Sequence, residues 1–470
     1  MAENNKRLFE EFPPITTEEW QNKIIADLKG ADFEKKLVWR TNEGFNVRPY
    51  YREEDLKAVQ HLNTLPGQFP YTRGTKIKGN DWYIRQDIPV KDLAAANKQA
   101  LEVLQKGVNS LGFVFKGSTE ITVADLKILL KDICLDAIEL NLVGCSKKVA
   151  NASALASYIA EVYGADAKVK ASVSIDPLGS FSKNGALKEE TFAELKTLVE
   201  ETAGLKKLSV INVKGKLYRD AGSTIVQELA FSLASGAEYL STLSELGADV
   251  GTVAKKIKFN FGVGANYFME IAKLRAARML WAKIVEAYKP TCTCCNSCSC
   301  GECDDDVCRC AGKMRIHSEN TVFNKTVYDP YVNMLRTQTE AMSAVLGGTD
   351  SLTVLPFNAI YEESTPFSDR IARNQQILLK EESHFDKIVD PAAGSYYIEN
   401  LTESIAEEAW KLFLEVQEKG GYTEAFKQGF IQQCIEETSE KMDKAIATRR
   451  ENLLGTNQFP NFSEYLEIEF

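Results

Sequence analysis

The 470-residue chain has only three histidines, His61, His317 and His384. It has no apolar run approaching the roughly eighteen residues that a membrane-spanning helix requires. The N-terminal stretch MAENNKRLFEEFPP lacks an apolar core, so no secretory signal is legible. Outside one short run only Cys134, Cys145 and Cys434 remain, too few and too scattered for a disulfide framework, and a reducing cytoplasm is the expected location. Basic residues are outnumbered, 56 Lys and Arg against 66 Asp and Glu, and the net charge of −10 argues against nucleic acid as a main partner. What is present, 44% hydrophobic and 26% charged residues, is the composition of a globular protein. The length suits either two or three average domains or one large α/β barrel with added segments.

From about residue 108 short β-rich runs alternate with amphipathic helical stretches. The strand-like runs are 111–115, 137–143, 168–175, 206–213, 257–261, 313–318, 351–357 and 386–390. Each mixes β-branched and apolar residues, as expected for strands with helices outside and packed side chains within. Between them, TVADLKILLKDI opens with Thr122 and Asp125 in capping-box spacing and continues with Leu126, Leu129, Leu130 and Ile133 at helical intervals. Further helices are expected near 149–163, 188–203, 221–247, 265–288, 330–346, 367–382 and 401–418. Eight such repeats favour a closed (β/α)8 TIM barrel, an α/β fold, over a doubly wound open sheet. The expected division is an extended N-terminal arm over 1–90 that wraps the barrel or a partner, a barrel over 91–450 with a Cys-rich insertion at 290–312, and a C-terminal linker remnant at 451–470.

Five long stretches carry a resemblance: FPPITTEEWQNKIIADLKGADFEKKLVWRTNEGFNVRPYY, FMEIAKLRAARMLWAKIVEAY, YDPYVNMLRTQTEAMSAVLGGTDSL, FSDRIARNQQILLKEE and IVDPAAGSYYIENLT. Together they resemble adenosylcobalamin-dependent methylmalonyl-CoA mutases, and more closely the small subunits of the bacterial heterodimeric type. The resemblance implies a heterodimer with a large subunit that binds the adenosylcobalamin, acyl-CoA as the holoenzyme's substrate, and a place in propionate metabolism. It also implies that relatives continue into a cobalamin-binding-like domain, which this sequence lacks.

Carried over residue by residue, the resemblance implies a site that has lost its catalysts. Arg85 and Gln86 match the catalytic subunit's motif, but its substrate-pressing tyrosine falls on Asp87, and a carboxylate has no flat aromatic face. The histidine that hydrogen-bonds the thioester carbonyl falls on Leu217, next to Lys216, and leucine offers no donor. Arg315, His317 and Ser318 are retained around the sixth of the strands counted above, as vestiges of substrate binding. None of the three histidines has Asp two before and Gly three after, so the cobalt-ligating motif D-x-H-x-x-G is missing. Elements of a radical rearrangement fail together when removed, so the expected role is a non-catalytic subunit that stabilises the large one. Two other readings remain open: an active acyl-CoA mutase barrel that recruits a separate cobalamin domain, and a protein whose main role is metal binding.

Several polar residues fall near expected strand ends, where this fold places function: Arg315, His317, Ser318, Asp176, Asn212, Asn358 and Asp390. Without a pocket around them, they read as satisfied polar caps. Arg85 and Arg315 are candidates for holding an anion such as a CoA phosphate. Trp82, Tyr83 and the Arg-rich arm read as interface anchors, and RAARMLW at 275–281 as an ordinary helix with a solvated face. The run CTCCNSCSCGECDDDVCRC holds Cys292, Cys294, Cys295, Cys298, Cys300, Cys303, Cys308 and Cys310. It carries enough thiolates for one or two tetrahedral metal sites, zinc first, but lacks the paired knuckles of a zinc ribbon. As a helix-to-strand connection it belongs at the face of the barrel opposite the mouth.

Overall fold

The computed structural model describes residue 9 and residues 11–117, 120–144, 148–164, 167–188, 190–291 and 307–464. All strands of its main sheet are parallel. They are β1 Tyr83–Pro89, β2 Ser110–Val114, β3 Glu139–Val143, β4 Lys170–Val173, β5 in two pieces Leu208–Ser209 and Ile211–Lys214, β6 Ile257–Val263, β7 Ile316–Asn320 and β8 Ser351–Thr353. The first piece of β5 pairs with β4 and the second with β6. Val210 between them donates to Lys256 O at 3.1 Å, and Asn212 donates to Ile175 O at 2.8 Å. The two pieces thus act as one strand that changes partner, and since β8 pairs with β1 the barrel is nearly closed.

The eight-strand count survives with a changed membership. Tyr83–Pro89, left in the arm by sequence reading, is the first barrel strand, because Arg85 and Asp87 interrupt its apolar pattern and disguise it. The stretch 386–390 is no strand: Asp390 has φ +46° and Ile388 is exposed, as in a turn.

The apolar core lies outside the sheet. Leu140 and Leu142 of β3 and Phe259 and Phe261 of β6 face the surrounding helices and are fully or almost fully buried. The helix Ile225–Glu245 approaches closely at Gly236, where a Cβ would stand 2.9 Å from the rings of both Phe259 and Trp281, so glycine sets that spacing. The Thr122 cap forms as expected, with Asp125 N donating to Thr122 Oγ1 at 3.2 Å and Thr122 N to the Asp125 carboxylate at 2.9 Å.

The solvated face expected of RAARMLW does not exist. Its helix, Tyr267–Ala287, is sandwiched between the barrel and the outer helix Tyr396–Glu418, and Arg275 and Arg278 are buried. Both find partners where this helix meets the arm, the outer helix and the turns beside them. Arg275 Nη2 lies 2.7 Å from Glu399 and 3.4 Å from Asp390. Arg73 Nη1 reaches the same two carboxylates at 2.7 and 3.1 Å. Arg278 instead donates to the carbonyls of Tyr71 at 3.2 Å and Gly347 at 2.7 Å. His61 completes the node, with Nε2 2.8 Å from Glu399 and Nδ1 3.3 Å from Glu403.

Burial disfavours a charged His61, but its bonds to Glu399 and Glu403 outweigh this and raise its pKa above the usual 6.5. Burial likewise pushes Glu399 up, yet His61, Arg275, the Gly394 N–H and Arg73 together hold it far below the ordinary carboxylate value. A raised histidine stabilises the fold fully below its unfolded pKa and loses that contribution as pH rises through the folded value; a depressed carboxylate loses its contribution as pH falls. The node is therefore strongest in mildly acidic solution. His61→Gln is expected to lower the urea-unfolding free energy by about 1–2 kcal/mol at about pH 6 and by clearly less at about pH 8.5. An equal loss at both pH values would contradict a charged His61.

Candidate functional site

Alternate residues of each strand point into the barrel, and most are polar. Tyr83, Arg85 and Asp87 of β1 face Glu139 and Asn141 of β3, Lys170 and Ser172 of β4, Lys258 of β6 and His317 and Glu319 of β7. The packed side chains expected within the barrel are thus largely polar.

Its charges are joined to one another. Lys258 Nζ crosses from β6 to Glu139 Oε1 of β3 at 2.7 Å and to Asn141 Oδ1 at 3.1 Å. Ser110 Oγ donates to the other Glu139 oxygen at 2.7 Å, and Ser172 Oγ donates to Asn141 at 2.6 Å. Lys170 of β4 reaches across to the Tyr83 hydroxyl of β1. Arg85 grips Asp87 through Nε at 2.6 Å and Nη2 at 3.1 Å. Room for that pair comes from Gly112 on β2, where a Cβ would fall 1.9 Å from Asp87 Oδ1 and 2.9 Å from Arg85 Nε. Burial pushes the Glu139 carboxyl up, but Lys258, Ser110 and Arg85 overcome it and bring its pKa down to about 2. His317 is held well below 6.5 by burial and by the charges of Arg85 and Lys258, so it stays neutral, with Nδ1 2.8 Å from Ser351 Oγ.

At the mouth a cavity of about 240 Å³ is lined by Arg85, Gln86, Asp87, Glu319, Thr353 and Arg373 among others. Lys216 pairs with Asp220 at 2.5 Å and with Glu319 at 3.4 Å. Leu217 lies elsewhere, in an apolar hollow of about 530 Å³ shared with Tyr218, Phe426, Ile431 and Ile435. Asp87 and Leu217 therefore line different cavities.

Two residues expected at the mouth sit at the opposite end. Arg315 precedes β7 and donates to Ser209 Oγ at 2.8 Å and Lys206 O at 2.7 Å. It does not converge with Arg85, and both guanidinium groups already have partners. Asp390 belongs to the arm node, because its segment is a turn and not a strand. Ser318 is buried in β7; Asp176 accepts from Gly179 N at 2.9 Å and Tyr239 OH at 2.7 Å; Asn358 donates to Glu362 at 2.8 Å; Asn212 Nδ2 is 3.5 Å from Ser174 Oγ. Gln86 faces outward and accepts from Arg373 at 3.1 Å. Trp82 is buried against the helix Pro366–Glu381, with Nε1 3.3 Å from Gln376, so it is a core residue here.

Sequence reasoning missed Glu139, Lys258, Lys170 and Glu319. The signal is there in ELNLV, KASV, IKFNF and IHSEN, where polar residues recur at every second position inside strands covered on their other face. Cys292, Cys294, Cys295, Cys298, Cys300 and Cys303 lie outside the described residues. Cys308 and Cys310 are described, Cys308 buried and Cys310 half-buried, ahead of β7 at the face opposite the mouth.

With this geometry in view, the comparisons with known proteins are decisive. The methylmalonyl-CoA mutase family profile matches residues 40–123 and 116–469. The chain belongs to the methylmalonyl-CoA mutase family. It is 49% identical to the methylmalonyl-CoA mutase small subunit of Porphyromonas gingivalis over 99% of this chain and 73% of that protein. The small subunit of Streptomyces virginiae is 33% identical over 99% of this chain and 73% of its own length. The large subunit of Porphyromonas gingivalis is 31% identical over 92% of this chain and 64% of its own length. Among the described residues no helix is long and apolar enough to cross a membrane.

Measured against this family, the ion-paired lumen is the feature to test. Lys258→Met leaves Glu139 buried without its cation and is expected to cost about 3–5 kcal/mol of unfolding free energy. The double variant Lys258→Met/Glu139→Leu removes both charges and should cost clearly less than the single one. Chemical denaturation of both variants checks this, and a single-variant cost below about 1 kcal/mol would show that the pair is not sealed from water.

Proposed function

We propose that this chain is the small, non-catalytic subunit of a heterodimeric methylmalonyl-CoA mutase, which interconverts methylmalonyl-CoA and succinyl-CoA, and that it serves by stabilising a large subunit. The observation that carries this reading is the Lys258–Glu139 pair spanning the lumen, since an acyl-CoA cannot lie along an axis crossed by joined charges. The separation of Asp87 from Leu217 supports it, because tyrosine and histidine at those positions would line different cavities.

Adenosylcobalamin does not fit the histidines of this chain. His61 and His317 are buried in side-chain hydrogen bonds. His384 lies in the turn whose Asp386 carbonyl accepts from Asn80, ahead of β1 and away from the mouth. The cofactor accordingly belongs to the large subunit, and no step of the rearrangement runs through residues of this chain.

The surface supports a partner. The helix Thr17–Asp27 buries none of its residues, while Phe12, Ile15, Trp20, Ile25 and Trp39 stand exposed along the arm. A row of exposed aromatic and aliphatic side chains on an otherwise folded arm is the composition of an interface core. An obligate pairing of this kind buries well above about 2,000 Å².

The test uses the purified full-length chain with adenosylcobalamin and methylmalonyl-CoA, with and without a co-expressed large subunit. Expected are a stoichiometric complex, no turnover by this chain alone, and loss of complex formation in Trp20→Asp/Ile25→Asp. Turnover without the partner would establish an active barrel with a separate cobalamin domain and sink this reading.

A further inference from the structure

The mutase reading leaves Cys308 and Cys310 without a role, although the fold positions both closely. The ends of their segment are held together by an antiparallel bridge between Thr291 and Val307 and by Cys308 N donating to Pro290 O at 2.8 Å. Arg309 N donates to Val307 O at 3.0 Å around Cys308, whose φ of −81° and ψ of 79° make this an inverse γ-turn. The short turn Arg309–Gly312 then presses on the helix Tyr267–Ala287, with the Gly312 Cβ position only 3.0 Å from Ala282 Cα. Arg309 is tied to Glu286 at 2.8 Å, and its carbonyl accepts from the Tyr71 hydroxyl at 3.2 Å.

This clamped turn holds the two Sγ atoms 3.1 Å apart, with the Lys255 ammonium 3.7 Å from Cys308 Sγ. Two thiolates on one tetrahedral zinc, each bonded at about 2.3 Å, stand about 3.8 Å apart. A disulfide brings its sulfurs to about 2.05 Å. The observed separation is tighter than a zinc pair and within about 1 Å of a bond.

We propose that Cys308 and Cys310 form a thiol–disulfide exchange site that takes low-molecular-weight disulfides of the glutathione class. The half-buried Cys310 thiolate attacks one sulfur of the small disulfide, forming a mixed disulfide and releasing one small thiol. Cys308, reacting as its thiolate, then attacks Cys310 Sγ and expels the second small thiol. The protein dithiol is oxidised by two electrons, the small disulfide is reduced to two thiols, and the two protein protons end on those thiols. Access through Cys310 alone follows from the burial of Cys308.

The experiment treats reduced full-length chain, complexed with its large subunit, with oxidised glutathione and digests it with trypsin under non-reducing conditions. Cleavage after Arg309 separates the two cysteines, so fragment 310–313 is expected to stay attached to the fragment ending at Arg309. A second variant carries serine at the six other cysteines of the run and retains only this pair there. It is expected to lose two alkylatable thiols without gaining glutathione, whereas adding Cys308→Ser should trap a stable glutathione adduct on Cys310. A persistent adduct with Cys308 intact would overturn the proposal. So would stoichiometric zinc, found by elemental analysis, that shields both thiols from glutathione and from alkylation.

Discussion

Everything in this barrel depends on one constraint: charges placed where water cannot follow them must find each other. A Lys258 ammonium or a Glu139 carboxylate alone in the lumen would cost several kcal/mol of solvation, and only mutual contact with added hydrogen bonds makes them tolerable. Ser110, Asn141 and Ser172 supply those bonds, and Gly112 supplies the space for Arg85 beside Asp87. The strands must then keep their register, because a slip of one residue would turn the charged set into the helical layer and Leu140 and Leu142 into the lumen. Sheet registry and lumen electrostatics therefore fix each other.

The same rule operates a second time outside the barrel. Arg73, Arg275, His61, Glu399 and Asp390 come from the arm, two helices and a turn, and none of the four pieces could bury its charge without the others. The arm is thereby integrated with the helical layer at its centre while its first helix stays uncovered. A rigid base beneath an exposed apolar segment lowers the ordering cost of docking a partner, since only the outer side chains need to settle.

Much of the fold was legible in sequence because helices announce themselves. The Thr122 cap and the 3.6-residue stripes of the helices Ile225–Glu245 and Tyr396–Glu418 are local signals. The strands were harder. Tyr83–Pro89 carries Arg85 and Asp87 in its middle, and a polar alternation normally means one wet face, so it reads as a loop until a closed polar lumen is considered. The run 386–390 carries the opposite error: its apolar Ile388 and Val389 imitate a strand, yet Ile388 is exposed and Asp390 turns the chain. The buried face of RAARMLW was illegible for the same reason as the lumen. Arginine predicts solvent unless its carboxylate is visible, and the partners of Arg275 lie more than a hundred residues away.

The candidate site divides along the same line. The losses proposed at Asp87 and Leu217 rest on aligned motifs, whereas the filling of the lumen could not be read that way, because Glu139 and Lys258 are 119 residues apart and meaningful only together. Pairing charges across the lumen commits the interior to stability. Once Lys258 and Glu139 depend on each other, admitting a ligand along the axis requires displacing both at once, with a penalty of several kcal/mol for either alone. Each single substitution toward an open lumen is therefore destabilising, so the energetics of the core itself oppose opening the barrel axis.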